Sequence, residues 1–175
     1  MKKKGNVMKL VLSGLLAAFV AVATMLISIP TPTKGYINLG DCFVNISAWM
    51  LGPVFGAGAA GIGSAIADLL LGYTVYAPAT FVIKALMAIT SFYLYRLLSK
   101  RIHGFISRVL ASVSAEVVMI AGYCLFEAIL YGSFATALTG VPGNVLQGVG
   151  GVIISVILYE ALLCRIPFVK AQSKA

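Results

Sequence analysis

Residues 41–71 read DCFVNISAWMLGPVFGAGAAGIGSAIADLLL, and the Gly52-Pro53 pair inside them decides the architecture. A proline cannot continue a helix from the preceding turn, so the stretch reads as two helices, 41–51 and 53–71, joined by a tight uncharged turn. The first arm is short. A hydrocarbon core of about 30 Å needs about 20 helical residues. Residues 41–51 therefore cross only if steeply tilted, or if neighbours shield them while the preceding loop dips inward. That loop would then form part of a cavity wall.

Outward from this hairpin, the chain reads as further apolar helices. Residues 8–29 form the first, ended by Pro30 and Pro32, with a loop over 30–40. Pro78 suits the first turn of a helix over 78–98; helices over 107–131 and 144–164 follow, separated by a Gly- and Pro-containing loop at 132–143. The expected fold is an all-α integral membrane protein. One domain, 1–175, forms a single bundle of six transmembrane helices with cytoplasmic N- and C-termini. Residues 8–29 are long enough to span and lack a small-residue cleavage site, so they read as a retained helix rather than a secretory signal.

Charge placement orients the bundle. Eleven of the 13 Lys and Arg residues fall at the start (Lys2, Lys3, Lys4, Lys9), in the 96–108 connection (Arg96, Lys100, Arg101, Arg108) and at the end (Arg165, Lys170, Lys174). Cytoplasmic segments carry such an excess, which places these segments inside and Lys34 outside a bacterial cytoplasmic membrane. With 61% hydrophobic and 10% charged residues and a mean hydropathy of +1.02, the chain departs from soluble domains, which carry about 25% charge. The net charge of +8 borders apolar spans, so topology and anionic lipid contact account for it, and nucleic-acid binding is excluded. Cys42, Cys124 and Cys164 fit no metal or redox spacing and read as small apolar fillers. No repeat relates the two halves, which argues against an inverted-repeat transporter.

Small residues crowd 56–67: Gly56, Ala57, Gly58, Ala59, Ala60, Gly61, Gly63, Ser64, Ala65 and Ala67. They let helix backbones approach closely. In the first helix Ala17 and Ala21 share a face, with Gly14 and Ala18 beside them. That face reads equally as internal packing or as a strip for another membrane protein.

Ionisable side chains within spans cost about 2.5–3.5 kcal/mol each on insertion scales, so each needs a reason. Asp41 opens a helix at the outer boundary, and its plainest role is an N-cap. Asp68 lies one turn from an outer end and could reach toward headgroups. Lys84 lies roughly 9 Å below the outer end of its helix at 1.5 Å per residue; at that depth a carboxylate partner or a polar ligand explains it better than snorkelling. Glu127 reads as cavity lining or outer rim. With Lys34 these groups gather on the outer half. Glu160 suits a pair with a basic inner residue, while Glu116 could meet Arg108 or a neighbouring helix. His103 is isolated among basic residues. Aromatic and amide groups also fall toward the outer side: Tyr36, Asn38, Asn45, Trp49, Tyr73, Tyr76, Tyr123, Tyr131, Asn144 and Gln147. The candidate substrate site is Tyr36, Asn38, Asp41, Asn45, Asp68, Tyr76, Lys84, Glu127, Asn144 and Gln147, suited to a flat polar small molecule. No phosphate-cradling loop, metal cluster or nucleophile–base pair is legible, so no catalytic residue, metal or cofactor is expected.

Five segments carry a family resemblance: Gly35–Asp41 (GYINLGD), Leu51-Gly52-Pro53, Ser64–Asp68 (SAIAD), Tyr76–Thr80 (YAPAT) and Ile83-Lys84. Together they resemble the substrate-binding S components of energy-coupling factor (ECF) transporters, over essentially the whole chain. The resemblance implies a binding subunit that captures a water-soluble vitamin from outside under the loop between helices one and two. It implies partners: a transmembrane T component and two cytoplasmic ATPase subunits that supply the energy. An Ala-x-x-x-Ala pattern meets the T component in that family; Ala17 and Ala21 match it. The cycle implied has the whole S component tilt in the membrane. Among ligands, pyridoxine ranks first, a hydroxymethylpyrimidine second and riboflavin third. The alternative is a self-sufficient channel or secondary transporter, with Lys84, Asp68 and Glu127 as an ion relay.

Overall fold

The computed structural model describes residues 2–31, 33 and 35–165, with side chains of the first helix from Asn6 onward. Lys34, Lys170 and Lys174 lie outside the described residues. The chain runs α1 (Lys2–Leu26), β1 (Ile29–Pro30), β2 (Tyr36–Ile37), α2 (Gly40–Leu71), α3 (Ala77–Leu98), α4 (Gly104–Tyr131), α5 (Phe134–Leu138) and α6 (Val141–Ala161), then a 3-10 turn at Leu163–Arg165. Among the described residues five helical segments are long and apolar enough to cross a membrane, with the whole of α2 counted as one.

Gly52 is the hinge of α2. Its φ of 83° and ψ of −176° fall in a region essentially closed to residues with a Cβ, and the chain folds back there. Ser47 Oγ donates to Gly56 O at 3.1 Å although the two residues are nine positions apart. In a straight helix that spacing would hold them roughly 13 Å apart. Thus α2 is a hairpin, and its reversal falls at the Gly52-Pro53 pair.

The second arm of the hairpin uses its small residues against three neighbours. A Cβ added at Gly56 would lie 2.7 Å from Ser47 O on the first arm, at Gly61 2.8 Å from Phe81 O on α3, and at Gly63 2.4 Å from Ala17 O on α1. Such approaches maximise dispersion where lipid removes any hydrophobic driving force between helices. They also settle the rotation of α1. The Ala17 carbonyl lies against Gly63 and Ala21 is only 9% exposed, so this face takes part in internal packing, the first of its two readings, with Ala17 itself half-buried. Among the described side-chain positions of α1, Gly14 and Ala18 are the exposed small residues.

Polarity is inverted relative to a water-soluble bundle. Leu10, Val11, Leu15, Val117, Leu125, Ile129, Leu146 and Ile157 point outward, while Asp41, Asn45, Ser47, Lys84 and Ser91 are buried. This is how helices dissolve in hydrocarbon while pairing polar groups with one another.

Several expected boundaries move, among them the start of the helix expected from 107, which begins at Gly104. The first helix stops at Leu26 rather than 29, because Ile29 and Pro30 pair antiparallel with Ile37 and Tyr36. The loop after Tyr131 contains α5, which Ser133 caps by accepting from Thr136 N. The last helix begins at Val141, with Pro142 in its first turn.

The two ends of the bundle differ. At one, Lys9, the Gly52 turn and Arg96 share a depression, and Arg108 forms an ion pair with Glu160. Arg108 also lies over the Tyr159 ring, 4.0 Å from its centroid. Trp49 stacks edge-on against Tyr159 at this basic end, not at the outer side that its sequence position suggests. Counting down the short first arm of α2 from Asp41 would have placed it correctly. At the opposite end lies a roofed cavity.

Candidate functional site

The roof is the segment between α1 and α2, and four elements hold it. Thr33 O accepts from Tyr76 OH and from Tyr131 OH, each at 2.7 Å, tying the roof to the start of α3 and the end of α4. Tyr36 OH donates to Asp68 Oδ1 on α2 at 2.5 Å. Gln147 Oε1 on α6 accepts from Asn38 N at 2.9 Å and from Asn38 Nδ2 at 3.1 Å. Burial, and then the Asp68 carboxylate beside it, push the Tyr36 hydroxyl pKa up. Burial and the hydrogen bond with Tyr131 do the same for Tyr76. Both phenols therefore remain O–H donors at neutral pH.

Beneath the roof is a cavity of about 30 Å³, room for about two water molecules. Eight of the ten expected site residues line it: Tyr36, Asn38, Asp68, Tyr76, Lys84, Glu127, Asn144 and Gln147. The other two, Asp41 and Asn45, form the layer below. Asp41 is fully buried and pairs with Lys84 Nζ, while its Oδ2 accepts from Gln147 Nε2 at 2.6 Å. It caps nothing: α2 has Leu39 at its N-cap position without a side-chain cap, and Asn38 Oδ1 accepts from Gly40 N instead. Its carboxylate is taken up instead by the Lys84 ammonium and the Gln147 amide, the first a charge-assisted pair.

Asp68 likewise turns inward, 2% exposed, toward Tyr36 rather than toward headgroups. Lys84 has its carboxylate partner, but the partner is Asp41 and not Asp68. Glu127 lines the cavity and accepts from Tyr76 OH at 3.3 Å. Glu116 does not meet Arg108. Its Oε1 accepts from Asn45 Nδ2 at 3.1 Å, and Ser91 Oγ donates to Asn45 Oδ1 at 2.8 Å. Glu116 fits there because Gly148 and Gly151 of α6 carry no Cβ to collide with it.

Sequence reasoning missed the hydroxyls of Thr24, Thr31, Ser64 and Thr80, all on the cavity wall. Two were findable. Ser64 precedes Asp68, and Thr80 precedes Lys84, by the four-residue step that shares a helix face. Thr24 and Thr31 carry no such signal. Among the described residues no cluster of His, Cys, Asp and Glu could hold a metal.

A roofed polar cavity at one end of a lipid-embedded bundle defines a membrane-bound small-molecule binding protein. The family profile described as "ECF-type riboflavin transporter, S component" matches residues 4–163, so the chain belongs to that family of substrate-binding subunits of ECF transporters. In those transporters, S components associate with T and ATPase modules. A protein of Pyrococcus woesei, "Uncharacterized protein in gap 3'region", is 36% identical over 136 residues, 77% of this chain and 88% of its own length. A solved structure of the S component of a bacterial ECF transporter superposes with a TM-score of 0.72 at 21% identity, covering 93% of this chain and 97% of that one. At that identity the superposition speaks for the fold.

Proposed function

We propose that this chain is the capture subunit of an ECF importer in a bacterial cytoplasmic membrane, binding a flat, hydroxylated heteroaromatic vitamin in the roofed cavity. The observation that carries the reading is convergence. Side chains from α1, α2, α3, α4, α6 and the roof all meet in one polar space at the end opposite the basic connections. That arrangement supports six crossings with both termini cytoplasmic and the cavity facing outward.

The ten residues of the expected site divide into two roles. Tyr36, Asn38, Asp68, Tyr76, Lys84, Glu127, Asn144 and Gln147 contact the ligand, and Asp41 and Asn45 hold Lys84 and its surroundings in place. The family description moves riboflavin to the head of the ligands to be tested, ahead of pyridoxine and hydroxymethylpyrimidine. Ligands of this size need some hundreds of Å³, so capture requires the roof and walls to part.

Conduction by the chain alone fits less well. Met87, Met119, Trp49 and Tyr159 belong to one buried apolar cluster, filling the bundle between the cavity and the basic end. The T component and two ATPases then drive release, with tilting of the whole subunit as the expected movement. The test is titration of the purified chain with riboflavin, pyridoxine and hydroxymethylpyrimidine, without ATP. Saturable binding of one of them, weakened at least about tenfold in Asp68→Ala, is the expected result. Ligand accumulation in liposomes holding this chain alone would instead establish the channel or secondary-transporter reading.

A further inference from the structure

We propose that the depression at the basic end seats the headgroup of an anionic phospholipid, at a site separate from the roofed cavity and independent of vitamin capture. Its volume is about 380 Å³, within the range of about 300–1,000 Å³ that small-molecule clefts occupy. Three segments wall it beside Trp49: α1 through Lys9, the hairpin turn from Leu51 to Phe55, and the inner end of α3 from Phe92 to Ser99. Two cations, Lys9 and Arg96, thus reach one opening from different helices.

Charge points to an anion. Of the chain's five acidic residues, Glu160 is the one at this end, set against Lys9, Arg96, Lys100, Arg101 and Arg108, and it pairs with Arg108. Basic pockets between transmembrane helices are where anionic lipid headgroups bind. The wall points to a lipid rather than a free anion. Pro53, Val54, Phe55 and Phe92 are apolar, and Val54, 78% exposed, carries that surface outward. Glycerol and acyl carbons gain from covering such a surface, whereas a free phosphate does not. Trp49 adds a donor. It lines the depression, is only 4% exposed, and its Nε1 has no acceptor among the described residues. An indole N–H can only donate, and the phosphate and ester oxygens of a phospholipid are acceptors.

Trp49 is also the chain's single tryptophan, so its fluorescence reports on this site. The full chain is reconstituted in phosphatidylcholine vesicles, and part of the lipid is exchanged for phosphatidylglycerol or phosphatidylcholine brominated on the acyl chains. Brominated phosphatidylglycerol quenches Trp49 at a fraction on the order of tenfold lower than brominated phosphatidylcholine. Lys9→Gln/Arg96→Gln brings the two lipids within about twofold, and the charge-keeping variant Lys9→Arg/Arg96→Lys restores the preference. Lys100→Gln/Arg101→Gln removes two charges outside the depression and keeps the preference. Equal quenching by both lipids overturns the inference. So does an equal loss of preference in the two neutralised variants, which marks a diffuse surface attraction instead of a site. Relief of quenching by excess inorganic phosphate assigns the depression to a free anion and overturns the lipid reading as well. None of these outcomes bears on vitamin capture.

Discussion

Lys84 and Asp41 are buried together, 2% and 0% exposed, where a charge left alone is costly. Removing one partner of such a pair costs about 3–5 kcal/mol, whereas replacing both with apolar groups is often neutral. Lys84→Met and Asp41→Leu should each lower the thermal stability of the detergent-solubilised protein sharply. The double variant should recover much of the loss, which a double-mutant cycle measures. Glu116 makes a further prediction. Lys84, Asp41 and Glu116 together sum to a formal charge of −1, and Glu116 Oε2 has no hydrogen-bond partner. Glu116→Gln should therefore be tolerated or stabilising. Glu116→Ala, which deprives Asn45 of its acceptor, should cost about 1–3 kcal/mol; the two unfolding midpoints separate these outcomes. That Lys84 needed a partner was legible from its depth in an apolar span. Which carboxylate answered was not, because Asp41 and Asp68 both fall near outer helix ends in the sequence, and only the packed bundle puts Asp41 below the cavity beside Lys84.

At the level of the element, the α2 hairpin depends on Gly52, whose φ of 83° penalises any side chain. Gly52→Ala should destabilise by about 1–3 kcal/mol, visible as a lower unfolding temperature with ligand affinity retained in the folded fraction. The first helix offers a cleaner contrast. Ala17 is backed by Gly63 and Ala18 is exposed. Ala17→Trp should disturb folding through overpacking. Ala18→Trp should leave fold and ligand binding intact and hinder assembly with the T component, as co-purification of the complex would show. The small-residue pattern on this helix was plain in the sequence. Its direction was not, since 17/21 and 14/18 are neighbouring stripes on one cylinder.

For the whole molecule the decisive issue is sidedness. Thr74, in the turn after α2, and Lys100, in the basic connection, are both exposed and lie at opposite ends of α3. With Cys42, Cys124 and Cys164 replaced by alanine, Thr74→Cys should react with an impermeant thiol reagent added outside intact cells. Lys100→Cys should react only after permeabilisation. The reverse pattern would put the cavity on the cytoplasmic side and defeat the capture reading.

Hydropathy, the basic bias and the Gly52-Pro53 break are properties of short stretches, and they determined by themselves that this chain is a lipid-embedded helical bundle with a hairpin. The resemblance at 35–84 pointed to its family, and the ionisable, aromatic and amide residues near the outer helix ends pointed to eight residues of the cavity wall. What only the tertiary structure decided are the pairings: Lys84 with Asp41, Asn45 with Glu116, Asp68 with Tyr36, and Ala17 against Gly63. Each depends on how helices rotate about their own axes. In lipid that rotation is chosen by close backbone contact and by satisfaction of buried polar groups between distant segments, which no local pattern records.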